Sequence, residues 1–331
     1  MPCPRLEELP AAPAGKVGWP WTEESSWPEA PAHDGCEWPR VTIVTPSFNQ
    51  GRFLEETIRS VLLQGYPNLE YVVMDGGSRD NSVDVIKKYA RWLTHWVSEP
   101  DGGQSAAINR GLNLGTGVFA GWINSDDLLC PNALDRHAIE VGFEPNTVYV
   151  GYCVYVDQDS RPISLHRGTV RSLEDLVRIK TVWRGEDYRG YIDQPSVLFP
   201  RALALSAGGL NTNNHYTMDY ELWGALFIAG TRFKYTDISF GVFRIHSAQK
   251  THDMLRQTNS LVETAAKIAS RADDFSEITR NEILADLEAY RVAFHRAHWK
   301  ESGRLTRMGL PPFLVMPIRR LKTVLQKNLK P

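Results

Sequence analysis

From Val41 onward the chain alternates two kinds of apolar pattern. Short runs rich in β-branched residues, 41–45 and 69–74, predict buried strands. After each of them apolar residues recur at helical spacing: Leu54, Ile58, Val61 and Leu62, then Val85, Ile86 and Tyr89. Residues 94–97 predict a third strand, about 104–113 a third helix, and the apolar run 118–123 a fourth strand. Turn residues punctuate the pattern at 46–51, 65–68, 99–103 and 115–117, and Asn81 or Ser82 is placed to cap the second helix. Alternation with links this short predicts a parallel sheet with helices on its faces. Right-handed crossovers then put every strand tip on one edge. Four polar loops should meet there: Pro46-Ser47-Phe48-Asn49, Asp75-Gly76-Gly77-Ser78, Asp101-Gly102-Gly103-Gln104 and Asn124-Ser125-Asp126-Asp127.

Beyond Asp127 the pattern is less regular. Residues 131–141 read as helical, 147–156 as strand and 170–179 as an amphipathic helix. Residues 194–199 read as a strand, and a helix opens at about 216–223. From 253 to 299 the chain is helix-forming, with Ile268, Ile283, Leu284, Leu287, Tyr290 and Phe294 as the packing stripe. These helices can cover the body or pair with a second copy as a homodimer. The tail, 304–330, interleaves apolar residues with Arg and Lys; such a basic amphipathic stretch can lie peripherally on an anionic membrane or pack on the protein.

The other end is different. Residues 1–39 are rich in Pro, Ala, Glu and Trp and lack periodicity, which predicts an irregular arm. Trp19, Trp21, Trp27 and Trp38 are too many aromatics for a solvated tail, so part of the arm should lie on the body. Within a chain of 331 residues this gives an arm, 1–39, a main domain, 40–250, and a helical extension, 251–331. A formal net charge of −2 gives no electrostatic case for nucleic acid. Four scattered cysteines without metal-ligand spacing fit a reduced, cytoplasmic setting. No signal peptide or membrane span is visible.

The chemistry concentrates at the fourth strand tip, where Asp126 and Asp127 stand side by side. Adjacent carboxylates repel unless a cation or hydrogen-bond donors compensate them. A hard divalent ion would do so, and such ions bridge carboxylates to substrate phosphates. The plainer alternative is that one of the pair caps the next helix. Neither a G-x-G-x-x-G after the first strand nor a G-x-x-x-x-G-K-[ST] is present. Phosphates bound here lack a glycine cradle, and a metal ion becomes the expected counter-charge.

Three segments together, Val41-Thr42-Ile43-Val44-Thr45-Pro46-Ser47-Phe48-Asn49, Val72-Val73-Met74-Asp75-Gly76-Gly77-Ser78-Arg79-Asp80-Asn81-Ser82 and Asn124-Ser125-Asp126-Asp127, resemble a family 2 glycosyltransferase. The stretch from Ser98 to Gly111 resembles the same family, and the similarity runs over roughly residues 40–250. The resemblance implies a GT-A fold, a mostly parallel α/β sheet flanked by helices. It divides the domain into a nucleotide-binding half, 40–127, and an acceptor-binding half, 128–250. It further implies an inverting transferase that uses a nucleotide-sugar, usually a UDP-sugar, with Mn2+ or Mg2+. By the same resemblance Pro46, Ser47, Phe48 and Asn49 hold the base, and Asp75 contacts uracil or ribose. The family often has a second acid after Asp75, where this chain has Gly76. Asp101 matches an acid of the nucleoside pocket or is a turn residue. Arg110 reaches the diphosphate or is a surface charge. Asp127 maps to the metal, and Asp126 to the ribose or the metal. His246 completes the metal sphere or touches the diphosphate, and Arg244, Gln249 and Lys250 are further phosphate candidates. Asp219 matches the general base, or else is a first-turn acid favoured by the helix dipole; Glu221, two residues on, should point elsewhere. The Gln-x-x-Arg-Trp segment of processive synthases is missing, so a single addition to a glycan or lipid-linked acceptor is expected, as in bacterial surface-polysaccharide or glycolipid assembly. Two other readings stay open: a non-catalytic sugar-nucleotide or glycan-binding protein, and a sugar nucleotidyltransferase.

Overall fold

The protein is described by a computed structural model. It defines residues 3–26, 37–179, 191–247, 249–250 and 253–307, with side chains up to 296. The strands and helices of the first half fall within one or two residues of the pattern. They are β1 (Val41–Ser47), α1 (Gly51–Leu62), β2 (Leu69–Asp75), α2 (Ser82–Tyr89), β3 (His95–Ser98), α3 (Gln104–Leu114) and β4 (Phe119–Trp122). β1 pairs in parallel with β2 and with β4, and β2 with β3. All four therefore end on one edge, and Ser47 stands opposite Asp75.

The second half departs from a parallel sheet. Its elements are β5 (Leu128–Leu129), α4 (Ala133–Arg136), β6 (Thr147–Val156), β7 (Pro162–His166), α5 (Leu173–Val177), β8 (Val197–Pro200), α6 (Arg201–Ser206), α7 (Met218–Ile228), β9 (Arg232–Arg244), α8 (Met254–Arg271) and α9 (Glu277–Arg307). The sheet runs β3-β2-β1-β4-β8-β6-β9-β5, with β7 against β6. β8 is antiparallel to both neighbours, β4 and β6. It acts as a seam joining the parallel strands β1 to β4 to the strands that follow. β9 is parallel to β6 and antiparallel to β5. Its far end thus returns beside Asp127, immediately before β5. The helix read over 131–141 is one α-turn followed by a π-helical turn, His137–Val141. The strand read over 194–199 begins as a 3-10 turn, Gln194–Ser196.

Strand alternation sends Ile43 and Val41 to one face and Val44 and Val72 to the other. The first face is covered by α1 and α2, with Leu54, Ile58, Val61, Ile86 and Tyr89 buried. The second is covered by α3, α7 and α8, with Ile108, Leu112, Leu222, Trp223 and Ile268 buried. α3 comes very close to the sheet: a Cβ on Gly111 would meet Val44 Cγ1 at 2.5 Å. Ile283 and Leu287 of α9 join the same layer, so the extension packs on the body, one of the two arrangements the apolar stripe allows. The basic tail falls largely outside the described residues.

The arm also packs on the body. Arg59, 1% exposed, points out of α1 and donates to the carbonyls of Pro10, Pro20 and Trp21 at 2.8–3.1 Å. Its guanidinium lies 5.3 Å from the centroid of the Trp21 ring. Trp19 Nε1 donates to Leu129 O at 2.9 Å, and Ser25 N to Leu63 O at 3.2 Å. The arm thereby closes the outer face of α1 and reaches the strand after the paired acids. Trp27 lies outside the described residues.

Candidate active site

The paired acids sit where the pattern put them, but they have distinct surroundings. Asp127 is buried, 1% exposed. Its Oδ1 accepts from the Arg244 amide at 3.0 Å and its Oδ2 from Asn124 Nδ2 at 3.1 Å. Its carbonyl and that of Ser125 accept from Thr57 Oγ1 at 2.8 and 2.9 Å, which fixes the turn to α1. Burial pushes the Asp127 carboxyl well above the usual carboxylate range, and the charge of Asp126 pushes it further the same way. Asp126 is half-buried, and its Oδ2 lies 2.9 Å from His246 Nε2. The His246 ring packs against Phe53 of α1, with centroids 4.8 Å apart and the planes tilted by 40°. Neither acid supplies a helix cap: Asn132 holds that place for α4.

Arg244 is not a phosphate group in this arrangement. Its side chain is 1% exposed and turns beneath the acids, pairing with Glu56 Oε2 at 3.3 Å and donating to Ser160 Oγ at 2.7 Å. Its Nε holds Asp126 O at 2.8 Å. What it offers the site is its backbone amide and this support from below. Gln249 turns back to the Arg244 carbonyl. Lys250 Nζ lies 2.9 Å from Gln104 Oε1, and Gln104 Nε2 donates to Asn124 Oδ1 at 2.8 Å. A cation therefore stands at this edge, joined to the acids through two amides.

The other three loops meet as expected. Asp75, 1% exposed, is consumed by its own turn and its neighbour strand. It accepts from the amides of Gly77 and Ser78, from Ser78 Oγ at 2.5 Å and from Ser98 Oγ at 2.7 Å. Asn49, in the left-handed region with φ of 53°, ties the first loop to the second: its amide donates to Ser78 Oγ and its Oδ1 accepts from Arg79 N. Pro46 and Ser47 are buried, whereas Phe48 is 62% exposed. Asp101 Oδ1 accepts from Gly103 N at 2.7 Å, the turn role. Its other oxygen faces Gly76, where an added Cβ would stand 3.0 Å away. Asp101 thus fills the space that a side chain at position 76 would need. Arg110 is exposed and paired with Glu99, and Asn109 is spent on the backbone of Leu210.

Asp219 comes from the second half, in the first turn of α7. Burial raises its carboxyl from the ordinary 3.8 to about 6, opposed by nearby backbone amides and assisted by the charge of Asp193. Glu221 points elsewhere, held by Asn211 and Asn214. Two routes tie Asp219 to the acids. Met218 Sδ accepts from Ser105 Oγ at 2.9 Å, next to Gln104. On the other side Gln194, adjacent to Asp193, accepts from Asn124 Nδ2 at 3.2 Å and donates to Trp122 O at 2.5 Å.

Three residues of this edge escape sequence reading. Asp80 accepts from Gly51 N at 2.9 Å and so satisfies the start of α1, a cap supplied from another loop. Glu56 is the buried counter-charge of Arg244. Asp193 is a buried carboxylate held by Tyr155 and His166. Glu56 and Asp193 have their partners far away in sequence, and Asp80, which also binds Ser82 locally, has its contact with α1 29 residues away, so no local pattern marks these roles.

The donor chemistry fits a divalent cation. Asp126 and His246 offer an oxygen and a nitrogen 2.9 Å apart, and the strained protonation of Asp127 is what a cation would relieve. Among the described residues no three His, Cys, Asp or Glu side chains gather into a complete site. An ion bound by one or two carboxylates takes its remaining ligands from water and substrate phosphates.

Residues 42–202 match the family model described as Glycosyl transferase family 2. The chain carries a glycosyltransferase family 2 domain over this span. It is 27% identical over 229 residues to an uncharacterized glycosyltransferase of Rickettsia typhi, covering 66% of this chain and 68% of that protein. It is 26% identical over 178 residues to the putative teichuronic acid biosynthesis glycosyltransferase TuaG of Bacillus subtilis, covering 50% of this chain and 70% of TuaG. Its fold is that of GT-A transferases. TarS residues 1–349 of S. aureus, solved with UDP, superposes with a TM-score of 0.57 at 17% identity, covering 78% of this chain and 73% of that one. The mannosyltransferase PcManGT of Pyrobaculum calidifontis, solved with GDP-Man and Mn2+, gives 0.55 at 20% identity, covering 91% and 84%.

Proposed function

We propose that the protein is an inverting, metal-dependent glycosyltransferase that moves one sugar from a UDP-sugar to an acceptor hydroxyl. The observation that carries this is the separation of acids along one edge. Asp126 and Asp127 stand with His246 at one end, while Asp219 stands in the first turn of α7, with Glu221 held away from it by Asn211 and Asn214. The first group suits a cation and a diphosphate. The second suits proton transfer, since a carboxyl near 6 is a stronger base than an ordinary aspartate and is still mostly ionised at neutral pH.

In this reading the loops at Pro46, Ser47, Phe48, Asn49, Asp75 and Asp101 shape the nucleoside pocket. Asp126, Asp127 and His246 would hold Mn2+ or Mg2+, which, when bound, supplies positive charge to the leaving diphosphate. Lys250 adds a second positive group on that side. The acceptor hydroxyl attacks the anomeric carbon from the face opposite the diphosphate. The new C–O bond forms as the bond to the diphosphate breaks, and Asp219 takes the hydroxyl proton. UDP bound to TarS and Mn2+ bound to PcManGT support a donor and a metal of these kinds. The likeness to TuaG supports a role in bacterial surface-polysaccharide assembly, with a glycan or lipid-linked acceptor. Among the described residues no helix is long and apolar enough to cross a membrane.

The test is UDP release from a panel of UDP-sugars with Mn2+ present or removed by EDTA, followed by NMR of the anomeric proton of any product. Metal-dependent release and an inverted anomeric centre are expected. Release of pyrophosphate, or retention of configuration, contradicts the proposal.

A further inference from the structure

Asp193 is a buried carboxylate that the transfer chemistry does not use. It is 4% exposed, and a charge so placed is costly unless it is paired and hydrogen-bonded. Tyr155 Oη donates to its Oδ1 at 2.6 Å, and His166 Nδ1 meets its Oδ2. Among the described residues His166 is the only ion-pair partner recorded for it. The hydroxyls of Tyr155 and Tyr191 are hydrogen-bonded, and the Tyr191 ring lies 5.1 Å from that of His166 at 31°. Phe243, opposite Tyr155 in the β6–β9 register, packs on Tyr155 at 5.3 Å. The chain is brought in tightly to build this: an added Cβ on Gly168 would stand 1.9 Å from Tyr191 O.

The cluster lies on the acceptor side of the edge. Asp193 adjoins Gln194, which is bonded to Asn124 and the Trp122 carbonyl, and its charge acts on Asp219. His166, Tyr191 and Phe243 are each only partly buried, so the cluster presents ring surface outward while its polar groups are held from behind. Rings of this kind pack on the C–H face of a pyranose. Phenol and imidazole groups held in fixed orientation match its hydroxyls. A site for a purely apolar chain would not need a buried carboxylate to orient its rings.

We propose that His166, Tyr191, Tyr155 and Phe243, braced by Asp193, form a subsite for a sugar ring of the acceptor, beside Gln194 at the edge that carries the paired acids. The acceptor is therefore a glycoside, and the transferase extends an existing saccharide. This rests on the proposed function, since it takes Asp219 as the base.

Saturation-transfer NMR with a panel of methyl glycosides (glucose, galactose, mannose and N-acetylglucosamine) tests it. Calorimetric titration of UDP with Mn2+ is run on the same samples. Wild type should transfer saturation to the ring protons of at least one glycoside. Tyr191→Ala and His166→Gln should each lose at least three-quarters of that signal, while UDP affinity stays within about twofold. Tyr155→Phe keeps the ring and removes one donor to Asp193, so it should weaken the signal without abolishing it. The subsite is overturned if wild type gives no transfer to any glycoside. It is also overturned if Tyr191→Ala and His166→Gln bind glycosides as wild type does, or if they lose UDP affinity together with the glycoside signal. Failure of the donor reading is seen separately, as wild type that binds glycoside but not UDP.

Discussion

Asp219 and Asp127 are both acids with raised pKa, and the cause separates their roles. Burial acts on both, but Asp127 also carries the charge of Asp126 beside it, whereas for Asp219 the raising charge is that of Asp193, after burial and opposed by backbone amides. A base must be ionised, so activity should rise with pH through about 6 and level off above it. Asp219→Asn should lower kcat by roughly 10²–10⁴-fold with donor affinity unchanged, as steady-state kinetics will show. The stability sign runs the other way. A folded pKa above the unfolded 3.8 means that the native state holds the proton more tightly, so this carboxylate costs stability as pH rises through about 6. Asp219→Asn should therefore raise Tm at pH 7.5 and leave it nearly unchanged at pH 3.5. Arg244 makes the opposite prediction. Removing it leaves Glu56 buried without its counter-charge, so Arg244→Ala should cost about 3–5 kcal/mol in urea unfolding. A variant that unfolds like wild type would show that the pair is not what supports the acids.

At the scale of elements, the parallel strands, β6 and the main helices were legible, whereas β5, β7 and the extent of β8 and β9 were not, for a physical reason. β1 to β4 are buried strands with helices between them, and each announces itself by local periodicity. β8 is four residues long, and its place between β4 and β6 is decided by pairings far apart in sequence. The thirteen residues of β9 carry no single pattern: burial alternates over its first part, and only Phe240, Gly241 and Val242 are buried in succession. Asp75 and Asp101 were recognisable as acids of the edge, yet the turns that consume their oxygens follow from Gly77, Ser78, Ser98 and Gly103. The arm shows the same limit. Four tryptophans marked it as packed, but nothing local named Arg59 as the residue that gathers its carbonyls. Arg59→Ala strands several buried carbonyls at about 1–3 kcal/mol each. It should lower the urea midpoint markedly and expose the arm to proteolysis near Trp21. An unchanged digestion pattern would mean that the arm is held by its apolar contacts alone.

Over the whole molecule, one sheet carries two chemistries. Its parallel half ends in loops suited to a nucleotide, and its antiparallel seam brings Gln194 and Asp193 alongside to meet them. α7 and β9 then deliver Asp219 and His246 from the second half to the same edge. The central claim is that this edge binds a nucleoside diphosphate through a metal held by the paired acids. The most direct measurement is calorimetric titration of UDP, GDP and dTDP into wild type and Asp127→Asn, each with and without Mn2+. UDP should be the tightest ligand, dependent on Mn2+, with the metal-dependent gain lost in Asp127→Asn. UDP binding that ignores both Mn2+ and Asp127, or no binding of any of the three nucleotides, would contradict it.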